Sequence, residues 1–376
     1  MRIGFDGKRA VQNFTGLGNY SRYVADILCH FYPENDYVLY APKKRENKRM
    51  NLLTGQYRQL TLAYPATSFW KKLSSLWRVW GITSQLEKEG IELFHGLSNE
   101  LPLNIHKSRI KSIVTIHDLI FLRYPQYYQS IDRKIYTYKF RKACENADKI
   151  IAISACTKRD IIRYFNIPDD KIEVVYQGCD VSFTHPVTEE KKEEVRKKYQ
   201  LPDHYILNVG SIEERKNILA AVQALPMLPQ HIHIVIVGRR TGYTEKVEQF
   251  IKDNGLGERV HIISNVPFND LPAFYQSAEI FVYPSRFEGF GIPIIEALYS
   301  GTPVVAARVS CLEEAGGPDS IYVNPDDITG LADAFKQIYS NSDKRKNMVE
   351  KGREFAKRFS EKQQSEEIIN IYKKLI

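Results

Sequence analysis

The sequence predicts an α/β protein of two doubly wound parallel-sheet domains, and three observations carry that prediction. Short β-branched or apolar runs alternate with helical patterns; the alternation occurs twice; and a polar, proline-containing stretch without a strand pattern separates the two series. In the first series strands are expected at "RIGFD" (2–6), "YVLYA" (37–41), "ELFHG" (92–96), "SIVTIH" (112–117), "KIIAIS" (149–154) and "IEVVYQ" (172–177), with helices such as 17–31, 131–147 and 155–165 between them. In the second they are "YILNVG" (205–210), "HIVIVG" (233–238), "VHIIS" (260–264), "IFVYPS" (280–285) and "PVVAA" (303–307). The break falls in residues 181–203, where the run "EEKKEEVRKK" (189–198) alternates in charge and reads as a solvated helix. Domains are therefore expected at 1–182 and 183–359. Ligands of open α/β sheets bind beyond the carboxyl ends of the strands, so two such sheets facing one another are expected to share a central cleft.

At 376 residues the chain is long enough for two substantial cores. Hydrophobic residues at 43% and charged residues at 26% are those of an ordinary soluble globular protein. "MRIGFDGKRAVQ" has no leader pattern, and no run of eighteen apolar residues occurs, which argues against secretion and membrane spanning. Five scattered cysteines without CxxC spacing suit a reducing compartment, so a cytoplasmic protein is expected. The net charge of +8 suits a phosphate-bearing substrate, an anionic membrane or nucleic acid. Nucleic acid is disfavoured because the cations are dispersed and no RNP-like, zinc-finger or helix-turn-helix pattern is present.

The most informative stretch is "RFEGFGIPIIEA" (286–297), which places Glu288 and Glu296 eight positions apart around two glycines and a proline. It follows the predicted strand "IFVYPS", so Glu288 is expected in the loop at a strand's carboxyl end. Gly289 and Gly291 permit a close backbone approach. Pro293 opens a helix that Gly301 stops, and this puts Glu296 in its first turn beside unpaired N–H groups. Taken alone, Glu296 could equally complement the helix dipole and Glu288 be a solvated loop charge. Upstream, "GSIEERKN" (210–217) follows the first strand of the second series, with Asn217 able to cap the next helix and Arg215 and Lys216 at its positive end. A planar fork beside a compact ammonium suits a diphosphate, although each is also an ordinary surface charge.

In the first half, Gly16 and Gly18 of "GKRAVQNFTGLGNYSRY" precede a helix and could cradle a phosphate. A dinucleotide-dependent oxidoreductase is the rival there, but Ser21 stands where its fingerprint needs Gly or Ala, and "YVLYAP" ends without an acid. His117 of "SIVTIHDLIF" sits at a strand's carboxyl end, either facing the cleft or satisfied structurally, with Asp118 as a turn former. No DxD, HExxH, GxSxG or Walker pattern occurs, and His231 and His233 lack neighbouring carboxylates at ligand spacing. No metal and no cofactor are expected, and a diphosphate would be neutralised by Arg215, Lys216 and helix N-termini.

The segment "SFWKKLSSLWRVWG" (68–81) holds all three tryptophans. Phe69, Trp70, Leu73, Leu76, Trp77 and Trp80 fall on one face of a predicted helix flanked by Lys71, Lys72 and Arg78. That pattern fits a core helix or an interfacial helix on an anionic membrane.

Together with "GLGNY", "IHD" and "VVYQGCD", these motifs resemble the retaining glycosyltransferases of family 4 along nearly the whole chain, in contexts like those of bacterial surface-polysaccharide mannosyltransferases. The resemblance implies the GT-B fold, a nucleotide-diphosphate sugar donor and a glycan or lipid-linked acceptor received by the first domain. It also implies a closing helix at 360–376 that crosses back onto the first domain, although Glu361 stands where the family has an aromatic residue. By resemblance Glu296 would hold the ribose and Glu288 the transferred sugar. N–H groups of Phe290 and Gly291 would support sugar and phosphate, and Arg215 and Lys216 the departing diphosphate. His117 would bind a sugar hydroxyl, and Gly16 to Gly18 would approach the donor phosphates or the acceptor. Mannose from GDP-mannose is the expected donor, and a nucleotide-sugar epimerase of the same fold is the remaining alternative.

Overall fold

In the computed structural model, which describes residues 1–376, Met1–Gln177 and Glu361–Ile376 form one unit and Gly178–Ser360 a second. The first unit holds seven strands: β1 (Arg2–Asp6), β2 (Asp36–Tyr40), β3 (Leu60–Ala63), β4 (Leu93–Gly96), β5 (Lys111–Ile116), β6 (Lys149–Ala152) and β7 (Ile172–Val174). They pair in the order β3-β2-β1-β4-β5-β6-β7, every pair parallel. The second unit holds β8 (Tyr205–Val209), β9 (His233–Val237), β10 (Val260–Ile263), β11 (Ile280–Tyr283), β12 (Val304–Ala307) and β13 (Ile321–Val323). Their order is β10-β9-β8-β11-β12-β13, again all parallel. Central strands such as β8 and β9 read as continuous apolar runs because helices cover both faces of the sheet.

Two strands, β3 and β13, were not expected, and both are sheet edges. Only Leu60 of β3 is fully buried, and all three residues of β13 are half-buried, so neither offers the apolar run that marks a central strand. The final helix Glu361–Lys373 lies in the first unit, where Ile368, Ile369 and Tyr372 join the core that covers β1 and β2. Tyr372 Oη lies 2.6 Å from Nδ1 of the buried His95. Glu361, in the first turn, favours the dipole and leaves this packing intact. All five cysteines are buried. No helix is long and apolar enough to cross a membrane.

The tryptophan-rich segment departs from its predicted single helix. It breaks at Leu73 between Ser68–Lys72 and Ser74–Leu76, then passes through a π-turn at Trp77–Gly81. Trp77 is fully buried, with Nε1 donating to Gln85 Oε1 at 3.1 Å. Arg78, expected as an exposed flanking cation, is instead only 12% exposed and is chelated by Asp6 at the end of β1 and by Glu100. Burial alone would lower its pKa, but the two carboxylates raise it, so its charge is locked in. Phe69, Leu73, Leu76 and Trp80 remain exposed. His231 precedes β9, and His233 Nδ1 lies 3.0 Å from His261 Nε2.

Candidate functional site

The second sheet reverses its strand order between β8 and β11, the switch point where open α/β sheets bind ligands. The loops after these two strands carry the expected residues. They are tied by Arg286 N–H donating to Arg215 O at 2.8 Å. Arg215 and Lys216 occupy a 3-10 turn, Glu214–Lys216. Asn217 sits at the N-cap of the helix Ile218–Ala224 but does not cap it as expected. It is left-handed (φ 54°), and its amide donates to Pro284 O and Pro325 O at 3.3 and 2.8 Å, pinning this loop to those after β11 and β13.

The two cations converge on Glu288. Arg215 Nη1 is 2.9 Å and Lys216 Nζ 2.8 Å from Glu288 Oε1, and Tyr283 O–H donates to the same oxygen at 3.1 Å. Lys216 Nζ also donates to Tyr283 Oη at 2.6 Å and lies 4.9 Å from the ring centre. Burial alone would raise the Glu288 pKa; Lys216 and Arg215 outweigh it and hold the carboxylate at about 2. Burial likewise opposes charge on Lys216, and Glu288 overcomes it, raising the ammonium above its ordinary range. Both cations and the carboxylate are thus ionised at neutral pH. A looser acid, Glu213, lies 3.7 Å from Arg215.

Glu296 is placed differently from expectation. The helix runs Ile292–Ser300 with Pro293 as its second residue, so Glu296 falls in the second turn. Its Oε2 accepts from Tyr275 Oη at 2.7 Å. Burial raises its pKa to about 7; the Tyr275 hydrogen bond opposes this and Asp180 reinforces it. The two glutamates are joined by an aromatic ladder. Tyr275 packs on Phe281 at 5.2 Å, Phe281 stacks on Tyr283 at 5.9 Å, and Tyr283 reaches Glu288. Phe281 and Tyr283 share one face of β11 because side chains alternate along a strand.

Between the glutamates, Gly291 has φ 132°, which L side chains rarely adopt, and a Cβ there would stand 3.3 Å from Leu312 and Ala315. Phe290 is buried against Phe359, with ring centres 5.5 Å apart. The Cys311 thiol donates to Glu288 O at 3.1 Å and Phe290 O at 2.9 Å, holding the loop's carbonyls.

The remaining expected residues lie in the first unit. His117 follows β5 and is buried. Its Nε2 is 2.9 Å from Leu97 O and its Nδ1 3.3 Å from Gln177 Nε2. A carbonyl can only accept, so Nε2 carries the proton and Nδ1 accepts from Gln177. Burial lowers its pKa to about 4, which keeps the ring neutral. Asp118 forms the expected turn, accepting from Ile120 N–H at 3.1 Å. Gly16 and Gly18 lie in the first turn of the helix Gly16–Phe31. Space around Gly16 is open, whereas a Cβ on Gly18 would come within 2.0 Å of Asn13 O, so this second glycine serves internal packing. Its N–H donates to Asn13 Oδ1 at 3.3 Å.

Arg215, Lys216 and Glu288 are therefore brought into one cluster, with Phe290 and Gly291 on the same loop and Glu296 at the far end of the ladder. Tyr275, Tyr283 and Cys311 were not anticipated. Tyr283 alone left a signal, a hydroxyl ending an otherwise apolar strand. No group of three or more His, Cys, Asp or Glu side chains is placed to hold a metal ion.

Two parallel-sheet units with a cationic switch-point loop in the second are the architecture of a GT-B glycosyltransferase. Residues 21–183 match the family model described as Glycosyltransferase Family 4, and residues 189–355 that of Glycosyl transferases group 1. The O-antigen chain mannosyltransferase B of Escherichia coli is 31% identical over 289 residues, covering 75% of this chain and 74% of the relative. The O-antigen chain mannosyltransferase RfbU of Salmonella typhimurium is 29% identical over 225 residues, 60% of each chain. Among solved structures, Anabaena Alr3699/HepE in complex with UDP superposes over all of both chains with a TM-score of 0.79 at 18% identity. A glycosyltransferase from Rickettsia africae reaches 0.78 at 20%, covering all of this chain and 98% of that one; both confirm the fold. The chain belongs to glycosyltransferase family 4. Neither the epimerase nor the oxidoreductase alternative is favoured by these likenesses.

Proposed function

We propose that this glycosyltransferase moves mannose, with retention of configuration, from GDP-mannose to a glycan or lipid-linked acceptor of a bacterial surface polysaccharide. The observation that carries the reading is the Arg215–Lys216–Glu288 cluster at the switch point of the second sheet. The mannosyltransferase relatives support the sugar. The Anabaena structural neighbour is a complex with UDP, so guanine against uracil is the choice to be tested.

On this reading Gly178–Ser360 binds the donor and the first unit receives the acceptor. The donor diphosphate takes Arg215 and Lys216 from Glu288, which is then free to accept hydrogen bonds from hydroxyls of the transferred sugar. N–H groups at Phe290 and Gly291 support sugar and phosphate, and Glu296 accepts from the ribose hydroxyls. An acceptor oxygen attacks the anomeric carbon on the face from which the diphosphate leaves. The new C–O bond forms as the sugar–phosphate bond breaks, and the acceptor proton passes to the leaving diphosphate. Arg215 and Lys216 stabilise the charge that develops there, and charge neutralisation needs no metal on this reading. On this reading His117 would bind a sugar hydroxyl through Nδ1 once Gln177 releases it, and the Gly16 to Gly18 turn would approach the donor phosphates or the acceptor.

A peripheral site on the inner face of the cell membrane belongs to the same proposal. Phe69 is 61% and Trp80 48% exposed, beside Lys71 and Lys72, and each such cation adds about 1 kcal/mol near an anionic surface. Arg78 takes no part, being held by Asp6 and Glu100.

Thermal unfolding with GDP, UDP, dTDP and ADP tests the donor. A ligand at about a hundred times its dissociation constant adds about 2.7 kcal/mol. GDP should give the largest shift, and GDP-mannose should label the acceptor. If none of the four stabilises the protein, the reading is wrong.

A further inference from the structure

The helix Ser130–Asn146 of the first unit carries Arg133, Lys134, Lys139, Arg141 and Lys142. Two of these are paired: Lys142 with Glu145 at 2.6 Å and Lys139 with Glu100 at 3.8 Å. The other three line a cavity of about 320 Å³ together with Leu122, Thr137 and Tyr138. No carboxylate lines it. Arg133 is half-buried: its Nε is closed off from solvent without a hydrogen-bond partner, and its exposed part lines the cavity. Arg141 is braced from behind, its guanidinium 5.5 Å from the Phe165 ring centre and Nη2 3.5 Å from Tyr164 O. The larger cavity of the second unit, about 690 Å³, differs in kind: its Arg345, Lys346 and Arg353 share the lining with Glu279, Glu350 and Glu354.

Guanidinium and ammonium groups only donate, so the ligand must be rich in acceptors and negatively charged, as a phosphate is. Along the same helix Ile131 is 70%, Ile135 44% and Tyr138 55% exposed. At spacings of four and three residues they form one apolar stripe beside the cations. Lys139 also ties this helix, through Glu100, to Arg78 of the segment with exposed Leu76 and Trp80.

We propose that this cavity binds the phosphate headgroup of a membrane amphiphile, whose apolar part lies along Ile131 and Ile135. Its identification with the acceptor rests on the transferase reading given above; the binding site does not.

The test is co-sedimentation of the full chain with phosphatidylcholine vesicles carrying phosphatidic acid, or carrying oleate at matched surface charge. Wild type should prefer the phosphate lipid. Arg133→Ala with Lys134→Ala should weaken that binding roughly thirtyfold, about tenfold or less per cation near an anionic surface. Ile131→Ser with Ile135→Ser should weaken vesicle binding while leaving binding of inorganic pyrophosphate unchanged. Equal binding to phosphate and carboxylate vesicles, or an undiminished Arg133/Lys134 variant, overturns the site. An isoleucine variant that binds vesicles like wild type makes this a soluble-phosphate site and overturns the lipid assignment. The GDP shift measured on the same variants keeps the two proposals separable. It should match wild type in all of them, and its absence in wild type would sink the donor reading without touching the vesicle result.

Discussion

Replacing Glu288 with Gln should destabilise the ligand-free second unit and at the same time tighten its hold on a nucleoside diphosphate. Gln keeps the shape of the side chain but removes the charge that faces Arg215 at 2.9 Å and Lys216 at 2.8 Å. All three side chains are 21% exposed or less, so water screens them weakly. Deleting one member of a buried ion pair leaves the others uncompensated and costs about 3–5 kcal/mol. In a unit of this size that lowers Tm by roughly 6–20 °C. A diphosphate brings back the missing charge, and in the wild type it must first displace the carboxylate. Binding and cation release are coupled reciprocally, so affinity should rise by about 5- to 150-fold in the variant. The assay is calorimetric unfolding with and without GDP, paired with titration calorimetry. The pH profile gives an independent sign. The folded pKa of about 2 lies below the ordinary value of 4.5, so the contribution of Glu288 is fully present above the ordinary value. It is lost as pH falls towards 2, and Glu288→Gln should remove that acid-side slope. A variant as stable as wild type that binds GDP no better would refute the idea that carboxylate and diphosphate compete for one pair of cations.

Three further outcomes are expected. Arg215→Ala or Lys216→Ala should each lower turnover roughly a hundredfold, as loss of a preorganised donor does, and EDTA should leave wild-type turnover unchanged; full activity in the double variant, or activity abolished by chelation, contradicts the assignment of the leaving-group charge. Because burial sets the Glu296 pKa at about 7, the carboxylate that accepts the ribose hydroxyls forms as pH rises through that value, and GDP affinity should rise with it in wild type more than in Glu296→Gln; parallel profiles in titration calorimetry would show that Glu296 does not hold the ribose. Gly291→Ala should cost about 1–3 kcal/mol in urea unfolding because φ 132° is strained for any side chain; an unchanged midpoint would mean that the loop relaxes.

The central strands and the identity of the switch-point loops were legible from residue order alone. Continuous β-branched runs have few conformations other than a buried parallel strand, and glycine and proline mark where such a strand turns into a helix. Arg215, Lys216 and Glu288 were legible as a set because each lies within a few residues of a strand's carboxyl end, and in this fold that local fact decides which side of the sheet they occupy. Edge strands β3 and β13 were not legible, since half-buried residues leave no apolar run. The charge states, by contrast, follow from long-range packing. Glu288 is held ionised by cations more than seventy positions away in sequence, while Glu296, eight residues on, is pushed towards neutrality by burial beside Tyr275. Tertiary structure likewise turned Arg78 from an apparent surface cation into a shielded link between Asp6 and Glu100. It also gathered Arg133, Lys134 and Arg141 around a cavity that no spacing announces. Periodicity records which face of an element is apolar; the partner that face or charge meets is set by chain closure over long separations, and the electrostatics follow from that meeting.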